Sequence, residues 1–129
     1  MMHQKLDISM TIVKSFEYVL PAMNNTKMGE ILSESIHINL VKLFRKCLDE
    51  VHNSSQKQGR DSDSLFHVLK LIESLLGKTE AMGSIVYQKV FYQMDCNGFG
   101  DLMNSMNDRR YENKIEEVWG RMLDIYFSE

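Results

Sequence analysis

The sequence predicts an all-α protein. Apolar residues recur at steps of three and four along most of the chain, which is the spacing of amphipathic helices. One proline and seven glycines among 129 residues leave few turn signals, whereas an all-β fold needs one every ~8–12 residues. No segment alternates apolar and polar residues long enough to indicate a strand. We expect about six or seven helices in a single domain, 1–129, built either as an α-solenoid of about three repeats or as a compact bundle.

The helices follow one another as six apolar stripes. The first stops at Pro21, because proline cannot continue a helix. Each stripe has only one apolar face, so the helices must stack in order to bury it. The stripes are Ile12, Val13, Phe16, Val19 and Leu20; Met28, Ile31, Leu32 and Ile36; Leu40, Val41, Phe44, Cys47, Leu48 and Val51; Leu65, Val68, Leu69, Ile72, Leu75 and Leu76; Val86, Val90, Phe91 and Met94; Ile115, Val118, Trp119, Met122, Leu123 and Tyr126.

Two connectors are predicted around the fourth stripe. The stretch 53–63 contains no apolar residue, and we expect it to be a flexible, protease-sensitive loop. The helix that follows has capping candidates at Ser62–Ser64 and a glycine, Gly77, that can end it in a left-handed conformation. A second, milder connector is therefore expected over 77–84.

The last third of the chain, 92–127, has the pattern of an atypical capping repeat. A glycine-rich break, Gly98–Gly100, leads into a short apolar helix, and a charged turn, Asn107–Arg110, leads into a longer amphipathic helix. That helix ends in Tyr126 and Phe127, which we expect to seal the end of the domain. The terminal unit of a solenoid needs a polar outer face, so the charges of this segment are expected to face solvent.

Composition excludes several classes of partner. The net charge of −3 comes without a basic stripe, which argues against a nucleic-acid partner. No apolar run approaches the ~20 residues that cross a bilayer, and the amino terminus is too polar for a signal peptide, so we expect an intracellular protein with no membrane partner. Two distant cysteines, Cys47 and Cys96, indicate neither a disulfide framework nor a zinc site.

Motifs for chemistry are absent, and we predict a non-enzymatic protein without cofactor or metal. Asp95, Asn97, Gly100 and Asp101 imitate a calcium loop, but its remaining oxygen ligands would be Phe99 and Met106. We interpret this segment as a turn anchored by Phe99. Surface positions are expected for the four histidines, and core positions for Trp119 and several methionines. The histidines are His3, His37, His52 and His67, and the methionines are Met94, Met103, Met106 and Met122.

Two stretches resemble the carboxy-terminal armadillo repeats of importin-alpha, the adaptor of nuclear import. The helix at Leu69–Leu76 follows the family's L-x-x-(I/L)-E-x-(I/L)-L pattern, and the family's short connector is similar to Gly77–Glu80. The family's atypical last repeat is similar to Gly98–Leu102, Tyr111–Asn113 and Met122–Phe127.

A third stretch resembles the start of an armadillo helix. Ile36–Phe44 is similar to the segment G-x-I-x-x-L-v-x-L-L, with Ser35 at the position of the glycine. The family's ladder of Trp and Asn residues, which holds localisation peptides, has no counterpart here, and its basic amino-terminal segment is absent. The resemblance therefore implies an armadillo-like carboxy-terminal piece or a reduced relative, and it does not imply that this piece binds cargo by itself.

The resemblance also implies a function in nuclear protein import, in both cytoplasm and nucleus. The carboxy-terminal end of importin-alpha docks the export receptor that recycles it, so that receptor is the expected partner. The charged residues around the last helical pair are the candidate partner-binding site. They are Asp108, Arg109, Arg110, Glu112, Lys114, Glu116 and Glu117.

Two alternatives stay open. The apolar stripe at residues 1–20 could mediate self-association if no preceding repeat covers it. The chain could instead be a small helical-bundle regulator or scaffold that binds a partner helix through an exposed apolar or Met-rich patch.

Overall fold

The described part of the protein is helical, without a strand. The computed structural model describes residues 2–53, 58–108 and 110–126, with side chains described for 11–52, 63–107 and 110–125. Seven α-helices confirm the predicted all-α class. They are α1 (Met2–Val19), α2 (Asn25–Ser33), α3 (Ile36–Asn53), α4 (Gln58–Met82), α5 (Ser84–Cys96), α6 (Phe99–Ser105) and α7 (Asn113–Tyr126).

The longest helix, α4, is the centre of the molecule. It packs against α1, α2, α3, α5 and α7. Leu65, Val68, Leu69, Leu71, Ile72, Leu75 and Leu76 are all buried on it. Leu71 lies outside the stripe predicted from spacing, and its burial shows that α4 has neighbours on more than one side, as expected for a helix inside a domain.

Helices that are three apart in the chain pack together at α1 and α4, at α4 and α7, and at α3 and α6. α4 packs against both α1 and α7, while α3 packs on α4 and also contacts α5 and α6. This arrangement is consistent with stacked helical units, and equally with a bundle arranged around α4. Either way, α4 joins the amino-terminal helices to the carboxy-terminal ones through one continuous core.

A tight turn separates α2 from α3. α2 begins after Asn24, whose side-chain oxygen accepts from the backbone N–H of Lys27 at 2.9 Å, as an N-cap does. At the other end of α2, Ser35 has a φ of +62°. This left-handed conformation is uncommon for a residue with a side chain. The reversal aims α3 back along the domain towards α4.

The predicted loop at 53–63 is wrong at both of its ends, which are helical. α3 continues through Asn53, and α4 already begins at Gln58. Residues 54–57 lie outside the described residues, so the predicted flexibility remains a prediction. Apolar spacing did not find these helical turns because they contain no apolar residue.

The predicted end of α4 at Gly77 is also wrong. The helix runs through Gly77 to Met82, and the buried Thr79 donates from its hydroxyl to the carbonyl of Leu76 at 2.9 Å. The chain turns instead at Gly83, which has a φ of +125°. A mid-helix glycine is tolerated here because α4 is fixed by packing along its length.

The glycine break between α5 and α6 is the predicted anchored turn. Gly98 is left-handed, with a φ of +94°, and Asp95 Oδ1 accepts from the N–H of Gly100 at 3.1 Å. Phe99 is buried and meets Phe44 and Phe91 edge to face, with centroids 6.3 and 6.0 Å away. The acidic residue that imitated a calcium ligand therefore closes the turn.

The predicted helix–turn–helix of the last third is present as α6 and α7. A single 3-10 turn, Met106–Asp108, follows α6. Phe127 and the side chain of Tyr126 lie outside the described residues, so the predicted aromatic seal stays a prediction. The four methionines assigned to the core are all buried.

The prediction of surface histidines is wrong at one described position, His37. His37 is 2% exposed, and its Nε2 donates to Gln93 Oε1 at 2.6 Å. His52 and His67 are half-buried, with partners on other helices or segments. Each of these three histidines has a polar partner more than 45 residues away in the chain. The spacing of residues within one helix cannot show such a pairing. The side chain of His3 lies outside the described residues.

Candidate protein-interaction sites

The predicted partner-binding residues separate into three groups. Arg110, Glu112 and Glu117 are exposed. Lys114 and Glu116 are partly buried and bind other residues of the same chain, Lys114 at the surface. Arg109 and the side chain of Asp108 lie outside the described residues. Arg110, Glu112 and Glu117 are therefore placed to meet a partner, and the side chain of Lys114 is also 41% exposed.

Lys114 links α7 to the start of α4. Its Nζ donates to Asp63 Oδ1 at 2.6 Å and lies 4.9 Å from the ring centroid of Phe66, a distance at which a cation is attracted by the aromatic face. The hydrogen bond from Lys114 lowers the pKa of Asp63 below its ordinary value, and the Asp63 carboxylate raises the pKa of Lys114. Lys114 therefore joins α7 to the start of α4 through an ion pair at the surface.

Glu116 fixes the entry into α7. Its carboxylate accepts from the backbone N–H of Tyr111 at 3.0 Å, which satisfies a donor just before the helix. The hydroxyl of Tyr111 in turn lies 2.7 Å from His52 Nε2 at the end of α3. The segment before α7 is therefore held from both sides.

Two further links on the stacked helices were missed from the sequence. Arg121 donates from Nε and Nη2 to the two oxygens of Glu73, at 2.7 and 3.1 Å, and this pairing raises the pKa of Arg121. Glu17 of α1 accepts from His67 Nδ1 at 2.7 Å and lies 3.7 Å from Lys70 Nζ. The partners are about 50 residues apart in the chain, so no local pattern could have paired them.

An open groove lies between α1 and α3. Its volume is about 400 Å³. The apolar side chains that line it are Ile12, Val13, Phe16, Ile36, Leu40, Leu43 and Leu71. Such a concave apolar surface is typical of a site that takes a partner side chain or helix.

The outer side of α1 continues this apolar surface. Ile12 is 50% exposed and Val19 is 46% exposed, although Val13 of the same helix and Leu20 just after it are buried. A second hollow of about 230 Å³ is lined by Ile12, Phe16 and Val19. One face of α1 is therefore exposed at Ile12 and Val19, whereas Val13 is buried on the face that packs on α4.

Other kinds of site receive no support from the described residues. Within them, no three His, Cys, Asp or Glu side chains come close enough together to hold a metal ion. None of the described helices has the length and apolar character needed to span a bilayer.

Comparison with known proteins adds no relative. The chain matches no protein-family model, no curated protein and no solved structure. Its function has to be inferred from its own residues and their geometry.

Proposed function

We propose that this chain is a non-enzymatic protein-interaction module of the importin-alpha type, acting in nuclear protein import and adaptor recycling between cytoplasm and nucleus. The supporting observation is the difference between its two sides. On the α1/α3 side an apolar groove is open, whereas the α7 side presents charged residues. A terminal unit of a solenoid has this asymmetry, since one face stacks on a neighbour and the other meets water.

The backbone at Ser35 supports the register of the armadillo resemblance. The family places a glycine at this position, and the left-handed φ of +62° is the conformation for which glycine is preferred. The same register puts His37 at an apolar position of the motif, and His37 is buried. Two residues that depart from the motif in type therefore keep its geometry.

The docking surface in this proposal is the exposed part of the α7 region. Arg110, Glu112 and Glu117 are available there, while Lys114 and Glu116 hold the surface in shape. Rim charges of this kind act on the association rate and on the choice of partner. The partner proposed from the family resemblance is the export receptor of importin-alpha.

Binding to the purified export receptor, in its cargo-binding state, tests the proposal. We expect the chain to bind, and the triple variant Arg110→Glu, Glu112→Lys, Glu117→Lys to bind roughly tenfold or more weakly. A matched control reverses Glu80 and Lys89, which are exposed on α4 and α5, and should bind like the original chain. The proposal fails if the original chain does not bind the receptor. It also fails if the triple variant binds as well as the control variant.

A second function is favoured by the groove itself. The chain would then be a small helical scaffold or regulator that binds a partner helix, without a role in transport. The open apolar lining between α1 and α3 supports this function irrespective of what binds at α7.

A further inference from the structure

The groove between α1 and α3 has a floor with helical periodicity. Ile36, Leu40 and Leu43 of α3 line it, at spacings of four and three residues that put them on one helix face. From Ile36 to Lys46, α3 spans roughly 15 Å, or about three turns. A partner helix of similar length with apolar residues at the same spacing would match this row of side chains.

Among the described side chains, the charged residues at the rim of the groove are all positive. Its charged lining residues are Lys42 and Lys46, one helical turn apart on α3 and both exposed. Asn39 is the other polar residue in the lining. No carboxylate of the described residues lines the groove, so the described part of its apolar floor has a positive border along α3.

We propose that this groove binds an amphipathic helix of a partner protein whose apolar stripe is flanked by Asp or Glu residues. The apolar stripe covers Ile12, Phe16 and Leu43. The flanking carboxylates meet Lys42 and Lys46. Electrostatic complementarity of this kind selects partners and raises the association rate.

The same charges disfavour a second copy of this chain as the occupant. A two-fold dimer brings the same patch of both subunits together. The lysine-bordered groove of one copy would then meet the same lysine-bordered surface of the other. Like charges set against each other in an interface are destabilising, so an acidic partner is favoured over self-association.

This inference rests on the proposed function only in treating the chain as a protein-interaction module. It names the partner chemistry of the α1/α3 groove, and the export receptor is proposed to dock at α7. A peptide assay without transport factors separates the two, because either can fail while the other holds.

Three fluorescent peptides, mixed with the full chain at low salt, provide the test. The first is a three-turn helix with leucines at spacings of three and four and flanking glutamates. The second has lysines in place of the glutamates, and the third has serines in place of the leucines. Fluorescence anisotropy should show saturable binding of the first, binding of the second weaker by on the order of tenfold, and none of the third.

Matched variants assign the binding to the groove. Ile12→Glu should abolish binding of the acidic peptide, while Ile85→Glu, at an isoleucine of α5 that is 82% exposed, should not. Lys46→Glu should weaken it severalfold, and Lys89→Glu should leave it unchanged. All four positions are exposed, so the variants are expected to fold, which circular dichroism checks.

Three results would overturn the inference. One is equal binding of the acidic and basic peptides, which removes the role of the lysines. Another is the absence of saturable binding by any peptide. The third is concentration-dependent dimerisation of the original chain, abolished by Ile12→Glu but not by Ile85→Glu, which would make a second copy the occupant.

Discussion

Two residues next to helix ends direct the path of the chain through left-handed backbone. At Gly98 the residue type already indicated a turn, and the turn is there, with a φ of +94°. At Ser35 the φ is +62°, and only the armadillo resemblance singled the position out. A serine carries the steric penalty that a glycine avoids, so this turn is held by the packing of α2 and α3.

Replacement of Ser35 by glycine is expected to stabilise the protein. A left-handed residue with a Cβ costs about 1–2 kcal/mol, and the added freedom of glycine in the unfolded chain returns roughly 0.5–1 kcal/mol of this. The free energy of unfolding should therefore rise by about 0.5–1 kcal/mol, as measured by urea denaturation. The control Ser74→Gly, at an exposed position inside α4, should lower it by about 0.5 kcal/mol. A loss of stability at Ser35 would contradict the assigned backbone conformation.

At the scale of helices, apolar spacing predicted that the helices exist but not where they end. The stripe from Leu65 to Leu76 marks the buried part of α4, yet the helix extends to Gln58 and Met82. Polar helical turns give no periodic apolar pattern. The tendency of Gly77 to end a helix is overridden by the packing of α4. The ion pairs between helices were unpredictable for a different reason, since Asp63 and Lys114 are brought together only by the folded chain.

The Asp63–Lys114 link between α4 and α7 makes a small part of the stability depend on pH, since both side chains are partly exposed and water screens the pair. Because the folded pKa of Asp63 lies below its ordinary value of 3.8, the carboxylate stabilises the fold at and above about pH 5. This contribution is lost as the pH falls through the folded pKa. We expect Asp63→Asn to be less stable than the original chain at neutral pH, and the difference to close in acid.

Urea denaturation between neutral and acidic pH measures this difference. In a Lys114→Met background, Asp63 has lost its partner, so Asp63→Asn should show a smaller pH-dependent difference in the free energy of unfolding. The same pH profile in both backgrounds would assign the effect to other groups.

At the scale of the whole molecule, the all-α class was predictable, but the groove was not. Its lining joins residues of α1, α3 and α4, which are far apart in the chain. They come together only because α1 and α3 both pack on α4. The candidate site at α7 was predictable in part. The sequence identified the charged residues, and the structure separated the exposed Arg110, Glu112 and Glu117 from the internally bound Lys114 and Glu116.

Hydrogen–deuterium exchange of the chain, alone and with the export receptor of importin-alpha, tests the proposed function most directly. We expect slower exchange across the segment 110–126 in the mixture, with exchange in α5 unchanged. Identical exchange with and without the receptor would contradict the proposed docking, as would protection confined to helices other than α7.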